Sequence, residues 1–371
     1  MPHRIARGGL AGACIATGLG LVLAVTSPAA PPTLVVAATD AVVGQTIQAT
    51  AQLSEGINAS GEISFEVFGP DDPTCAGFAL TPAPASASVD GDGEYSSGEF
   101  TPSEAGTYSW SAHYSGDSEN PSEDSICSVV STVSSASPNL SGTATSGVTV
   151  GSTITDEATL TGGFEASGQL TFRAFGPNNQ TCAGTPKYED TVAVNGDDSY
   201  SPSGFAPLPA GLYRWTVEYG GDSNNEPVSL GCGAANQTST VNRASPILSG
   251  LATSVVTVGS PIHDEVTFTG AFSPTGEVTF SVYGPTDTDC SAPLETDTVP
   301  VQGGQATSAN FLSQQAGEFR WTADYPGDSN NEPASLPCNA ANQSSTVNKD
   351  SPSLSGSATS AVTVGSTITD E

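Results

Sequence analysis

Beyond residue 30, apolar and polar positions alternate in short runs along most of this chain. The clearest run is Gly106 to Tyr114, where Tyr108, Trp110, Ala112 and Tyr114 fall on one side and Thr107, Ser109, Ser111 and His113 on the other. A period of two is that of a β-strand with one buried face. The run returns as Tyr213, Trp215, Val217 and Tyr219 opposite Arg214, Thr216 and Glu218, and again as Phe319, Trp321, Ala323 and Tyr325 opposite Arg320, Thr322 and Asp324. A second run, Ile63, Phe65 and Val67, recurs as Leu170, Phe172 and Ala174 and as Val278, Phe280 and Val282, and its inward Phe is expected beside the Trp. Gly, Pro, Asn and Asp separate the runs, which is turn chemistry. In the middle of the chain the pattern predicts strands near 139–145, 153–161, 168–175, 188–194, 199–205, 211–219 and 238–243. Apart from the first residues, no stretch spaces its apolar positions at helical intervals. The expected fold class is all-β, with sandwich domains of about seven strands each.

The pattern repeats as a whole. Ser137-Pro-Asn-Leu-Ser-Gly returns at Ser245 and Ser351, steps of 108 and 106 residues, and Pro32-Thr-Leu marks a more divergent first copy. Such a period fits entire domains in tandem, since solenoid units run to about 20–50 residues. Three copies are expected at 30–136, 137–244 and 245–350. Residues 351–371 match 137–157 at 18 positions and read as the start of a fourth copy, cut short and poorly packed. Val241-Asn-Arg-Ala-Ser-Pro246 joins two copies with almost no linker, so a semi-rigid, monomeric modular rod is expected.

Residues 1–29 read as a secretory signal: His3, Arg4 and Arg7 form a basic start, Leu10 to Val25 is apolar, and Ser27-Pro-Ala29 supplies small residues for cleavage. The alternative is a retained anchor, but the apolar run falls short of the roughly 20 residues that span a bilayer. Cys14 would leave with the signal. The formal charge of −31 becomes −33 without Arg4 and Arg7, a balance that repels nucleic acid and anionic membranes. No membrane insertion of the mature chain is expected. The other six cysteines fall two to a copy, and of 15 formal pairings the repetition favours Cys75 with Cys127, Cys182 with Cys232, and Cys290 with Cys338. Zinc lacks ligands, because His113 and His263 occupy non-equivalent places. Disulfides and an export signal both imply an oxidising compartment, so the chain is expected to be secreted or on the cell surface.

The run Gly-x-Tyr/Phe-x-Trp followed by Tyr-x-Gly-Asp, at Tyr114–Asp117, Tyr219–Asp222 and Tyr325–Asp328, resembles the group 3 bacterial immunoglobulin-like repeats of surface and secreted proteins. The resemblance covers all three copies. It implies tandem immunoglobulin-like sandwiches that serve as stalks, adhesins or spacers beside enzymes. Tyr108, Tyr213 and Phe319 hold the relative place of the tyrosine corner of such domains, although Trp stands where the second core Cys would be, and Phe319 has no hydroxyl to offer. The cysteine pair is displaced toward one end of the sandwich.

Little of the remaining chemistry points to a reaction. Trp110, Trp215 and Trp321 could stack on sugars, but they share a face with Tyr114, Val217 and Ala323, which makes core packing the better reading. The polar loop after Tyr-x-Gly-Asp has oxygen ligands for Ca²⁺: Asp222, Asn224, Asn225 and Glu226, or Asp328, Asn330, Asn331 and Glu332, with Asp117, Glu119, Glu123 and Asp124 in the first copy. Its spacing is not that of an EF-hand, and a solvated turn is the competing account. Asp90 with Asp92 and Asp197 with Asp198 read as hairpin residues. Catalytic, cofactor and metal residues are expected to be absent: Gly-x-Ser-x-Gly and His-Glu-x-x-His do not occur. Intramolecular isopeptide bonds would need a Lys in every copy, and only Lys187 and Lys349 exist. Asn58, Asn139, Asn179, Asn236 and Asn342 begin Asn-x-Ser/Thr triplets, at a frequency that chance explains. The expected role is a structural spacer or stalk. The alternatives are an adhesin for an extracellular ligand or cell-wall component, and accessory modules of a secreted hydrolase.

Overall fold

The computed structural model describes residues 30–127 and 129–371; residues 1–29, where the secretory signal and Cys14 are expected, lie outside them. The described chain is all-β, and none of its elements is a helix able to cross a membrane. It packs as two units. One holds residues up to Ala41 with 45–102 and 106–133; the other holds 134–371 together with 42–44 and 103–105.

In the second unit, alternation along Gly211–Tyr219 builds the centre of a sheet. Tyr213, Trp215, Val217 and Tyr219 are buried, and Glu218 is exposed on the other face. This strand lies between Thr238–Asn242 and Gln169–Phe175, and the sheet continues to Gly147–Thr149 on one side and Tyr188–Ala193 on the other. Gly147–Thr149 runs parallel to Thr238–Asn242, while the pairings of Gly211–Tyr219 and Gln169–Phe175 are antiparallel. A three-stranded sheet, Asn139–Ala144, Asp156–Thr161 and Ser199–Tyr200, supplies the opposing layer. The opening segment thus splits between two sheets, the first half on one and the second half beside the last strand of the other. The sandwich is immunoglobulin-like.

Residues 247–348 repeat this order, with Ile247–Gly250, Glu265–Thr269 and Gln305–Thr307 facing the sheet built on Gly317–Tyr325. In the first unit, Thr33–Ala38, Ala49–Ser54 and Gly93–Ser96 face a sheet that includes Val129–Ser134, Gly106–Tyr114, Ser60–Phe68 and Ala87–Asp90. The middle copy has nine strands rather than seven. The additions are Gly147–Thr149 and Val228–Leu230, three residues each and too short to show a period of two.

The tryptophans form the centre of each core. Trp110 and Trp215 are fully buried and Trp321 nearly so. Each indole N–H donates to a buried serine on the last strand: Trp110 to Ser131 (3.0 Å), Trp215 to Ser239 (3.0 Å) and Trp321 to Ser345 (3.2 Å). An indole buried without such a partner would carry a desolvation cost. The Tyr213 hydroxyl donates to the Pro209 carbonyl at 2.8 Å, the bond of a tyrosine corner. Phe319, at the same place, instead tilts against Phe311 with ring centroids 5.9 Å apart. Residues 351–371 are exposed throughout and form no core; their contacts among the described residues are local, such as Thr359 N–H to the Thr369 carbonyl (3.1 Å).

Candidate functional site

The most polar recurrent segment is the loop leaving the Trp strand, and its geometry is best seen in the middle copy. After Tyr219 the chain turns through Gly220 and Gly221 to Asp222. One Asp222 carboxylate oxygen accepts from the Asn224 N–H (2.8 Å) and the Asn225 side-chain amide (2.8 Å). The other accepts from the Ser167 N–H (2.7 Å), the Ser167 hydroxyl (2.9 Å) and the Tyr219 hydroxyl (3.0 Å). Asn225 is buried and grips the same turn three residues earlier, accepting from Phe164 N–H (2.7 Å) and donating to the Phe164 carbonyl (2.9 Å). One carboxylate and one amide therefore fasten this loop to the turn at Phe164 and Ser167.

The Asp and Asn bonds recur in the other copies, although the buried Tyr325 hydroxyl, unlike that of Tyr219, has no partner among the described residues. Asp328 and Asn331 hold Thr275 and Phe272, with Asn331 bonded to both backbone groups of Phe272 at 2.7 and 2.9 Å. Asp117 and Asn120 hold Ser60 and Ile57, with Asn120 bonded to Ile57 at 2.8 and 3.0 Å. The carboxyls titrate accordingly. Burial alone would raise Asp222 and Asp328, but the donors from Asn225, Asn224 and Ser167, and from Asn330, Thr275 and Asn331, outweigh it and hold both well below the usual carboxylate range. Asp117 is held down chiefly by the N–H groups of Glu119 and Ser60. Burial, with the neighbouring carboxylate, pushes Tyr219 and Tyr325 up to about 12.

This geometry does not fit a calcium ion. Calcium takes six to eight oxygen atoms, whereas the oxygens of Asp222 are met by N–H and O–H hydrogens from five directions. Among the described residues, no group of three or more His, Cys, Asp and Glu is placed to hold a metal.

The loop also reaches the copy before it. Within the second unit, Ala244 N–H donates to the Asn330 carbonyl and Glu332 N–H to the Ala244 carbonyl, both at 2.8 Å, a short parallel bridge that buries Ala244. The Asn330 side-chain oxygen accepts from Ala210 N–H at 3.1 Å, and Arg243 lies 4.0 Å from the Glu332 carboxylate. Phe272 packs on the core of the middle copy, its ring over Gly151. Gly151 has φ +92°, and a Cβ there would stand 2.6 Å from that ring. Residues of the same unit repeat the pattern one copy earlier. Ala136 pairs with the Asn224 carbonyl and Glu226 N–H at 2.8 Å, Asn224 accepts from Ala105 N–H at 2.9 Å, and Phe164 lies over Gly44.

No protein-family model and no curated protein sequence matches the chain. Among solved structures it is similar to the Escherichia coli adhesin FdeC, at 17% identity over 83% of this chain and 98% of that one, with a TM-score of 0.27. It is also similar to the FN1–FN3 domains of chicken CNTN1 (13% identity, 84% and 98% covered, TM-score 0.22) and to the fibronectin(III)-like modules of Clostridium thermocellum CbhA (15%, 57% and 94%, 0.20). The immunoglobulin-like assignment rests on strand order and register, not on these superpositions.

Cys75 pairs with Cys127, Cys182 with Cys232 and Cys290 with Cys338, at Cα separations of 6.0, 5.7 and 5.8 Å. All six lie outside the cores, where they tie the loop after the Phe strand to the loop before the last strand. The hairpin carboxylates also act structurally: Asp197 accepts from Gly162 and Gly163 N–H (2.7 and 3.0 Å), and Asp92 from Gly56 N–H (2.9 Å).

One feature escaped the sequence reading. Asp156 and Asp264 are fully buried, each accepting from a buried glutamine amide, Gln237 at 3.1 Å and Gln343 at 2.9 Å. In each pair the other carboxylate oxygen and the glutamine carbonyl have no partner among the described residues. Burial outweighs the amide bond and raises both carboxyls to about 6. The signal in the sequence is Asp-Glu at one place in two copies, Asp156-Glu157 and Asp264-Glu265; Ala49 stands there in the first copy.

Proposed function

We propose that this chain is a spacer of a secreted or cell-surface protein, built from tandem sandwiches of the group 3 bacterial immunoglobulin-like kind, with copies at 30–136, 137–244 and 245–350. The observation that carries this reading is the use made of the recurrent polar loop. Its Asp and Asn hydrogen-bond within their own copy, and Asn224, Asn330, Glu226 and Glu332 bond to the copy before. A module whose most polar recurrent chemistry is directed to its own turns and to its neighbour acts through distance and stiffness rather than reaction. The three disulfides support an extracellular setting.

Binding of the purified chain to peptidoglycan, to glycan arrays and to host-cell extracts, alongside single-molecule stretching, tests the proposal. Three separate unfolding events with no specific binding are expected. Specific saturable binding to any of these surfaces would replace the spacer reading with adhesion. A feature of the first copy favours that second reading: Phe78 is 98% and Ile126 78% exposed, both close in sequence to the Cys75–Cys127 staple. If adhesion is the activity, Phe78→Ser abolishes it and leaves folding intact.

A further inference from the structure

The two copy-to-copy contacts within the second unit use one set of parts. The earlier copy supplies a glycine of positive φ, an alanine N–H ahead of the Trp strand, and a backbone position after its last strand. These are Gly44, Ala105 and Ala136 in one contact and Gly151, Ala210 and Ala244 in the other. The later copy supplies an aromatic ring, an Asn side chain and a Glu N–H: Phe164, Asn224 and Glu226, or Phe272, Asn330 and Glu332.

The third copy has the receiving parts at the same places: Gly259 (φ +89°), Ala316 and Asp350. Nothing lies within 4 Å of where a Gly259 Cβ would stand, and Ala316 N–H meets no acceptor among the described residues. Lys349 replaces Arg243, the residue that faces Glu332, so the charge that would meet an incoming Glu is kept. The first copy, in contrast, lacks the inserting parts. Ile57 stands for the aromatic ring, Glu119 for the Asn, and Pro121, which has no N–H to donate, for the Glu.

We propose that Gly259, Ala316, Lys349 and Asp350 form a docking socket for one further module of the same kind, one that carries an aromatic residue at the place of Phe272 and Asn and Glu at the places of Asn330 and Glu332. The first copy of a second chain does not meet that requirement. The inference is independent of the spacer reading, since an adhesive array would join its modules through the same contact.

The test extends the full chain by replacing residues 351–371 with a second copy of residues 245–350, and in a parallel protein with a second copy of residues 137–244. Amide hydrogen exchange at Ala316 and Asp350 is compared with the unextended chain, and protection along Gly317–Tyr325 and along the added Trp strand reports folding. Both extensions should slow the two amides by about tenfold or more. Gly259→Val in the receiving copy, or loss of the ring in the added segment only (Phe272→Ser in the 245–350 extension, Phe164→Ser in the 137–244 extension), should return them to the unextended rate while both Trp strands stay protected. Unchanged exchange in both extensions overturns the proposal, as does slowing that survives both substitutions. Concentration-dependent protection of the same amides in the unextended chain also overturns it, because the occupant would then be a second copy of this chain.

Discussion

At the scale of single residues, two kinds of buried polar group shape the cores: indole N–H groups paired with serines, and carboxyls that are only partly satisfied. Ser239→Ala removes the acceptor of the Trp215 indole N–H and leaves it buried, so a loss of about 1–3 kcal/mol is expected by chemical denaturation. Trp215→Ala should cost more, about 3–5 kcal/mol. The buried carboxyls predict a pH dependence. Asp156 and Asp264 sit near 6 when folded against an ordinary value of 3.8, so ionisation opposes folding. That penalty is complete above pH 6 and vanishes below about pH 4. Each group should therefore add about 2–3 kcal/mol of stability as pH falls from 7 to 4. Asp117, Asp222 and Asp328 work in the opposite sense, since their folded values are depressed; the stability they contribute is present above about pH 4 and is lost on further acidification. A maximum near pH 4–5 is expected in denaturation curves recorded across pH. Asp156→Asn with Asp264→Asn should flatten the limb between pH 4 and 7 and leave the acid limb in place.

At the scale of elements, the strand between Gly211 and Tyr219 and the turn it fastens account for most of the architecture. The alternation that made this strand legible in the sequence reflects a physical demand: a sheet with one covered face must place every second side chain in the core. The short strands Gly147–Thr149 and Val228–Leu230 were not legible, because pairing with a long neighbour holds them and no pattern of their own does. The latch was legible only as polarity. Asp222 and Asn225 were visible as oxygen-rich residues, but whether those oxygens meet a cation or N–H groups depends on the turn at Ser167 and Phe164, some 60 residues away in sequence. Adding calcium or a chelator should thus leave the thermal midpoint unchanged, a result that differential scanning calorimetry would show directly. The disulfides close loops of about 50 residues. Cys182→Ser with Cys232→Ser should lower the stability of the middle copy by up to about 4 kcal/mol in the chain-entropy model. Amide protection along Gly211–Tyr219 should survive in the folded population, because the cysteines take no part in the core.

At the scale of the whole molecule, the second unit shows how copies are joined without a linker. Gly151 is the critical position: a side chain there would enter the space of the Phe272 ring, and its φ disfavours any residue but glycine. Gly151→Val should loosen the contact between the middle and third copies, and fast exchange at the Ala210 and Ala244 amides would report it. Both Trp strands should stay protected. Sequence repetition revealed the copies but not this contact, since the joining parts are single residues, Gly151, Phe272 and Asn330, dispersed among turns.

The division of labour at the joint carries a consequence for biogenesis. The receiving groups belong to the copy made earlier and the inserting groups to the copy made later. A polypeptide leaving the ribosome or an export channel amino terminus first therefore presents a finished receptor before its insert exists. Assembly then advances in the order of synthesis, and each completed copy serves as a template surface for the one that follows.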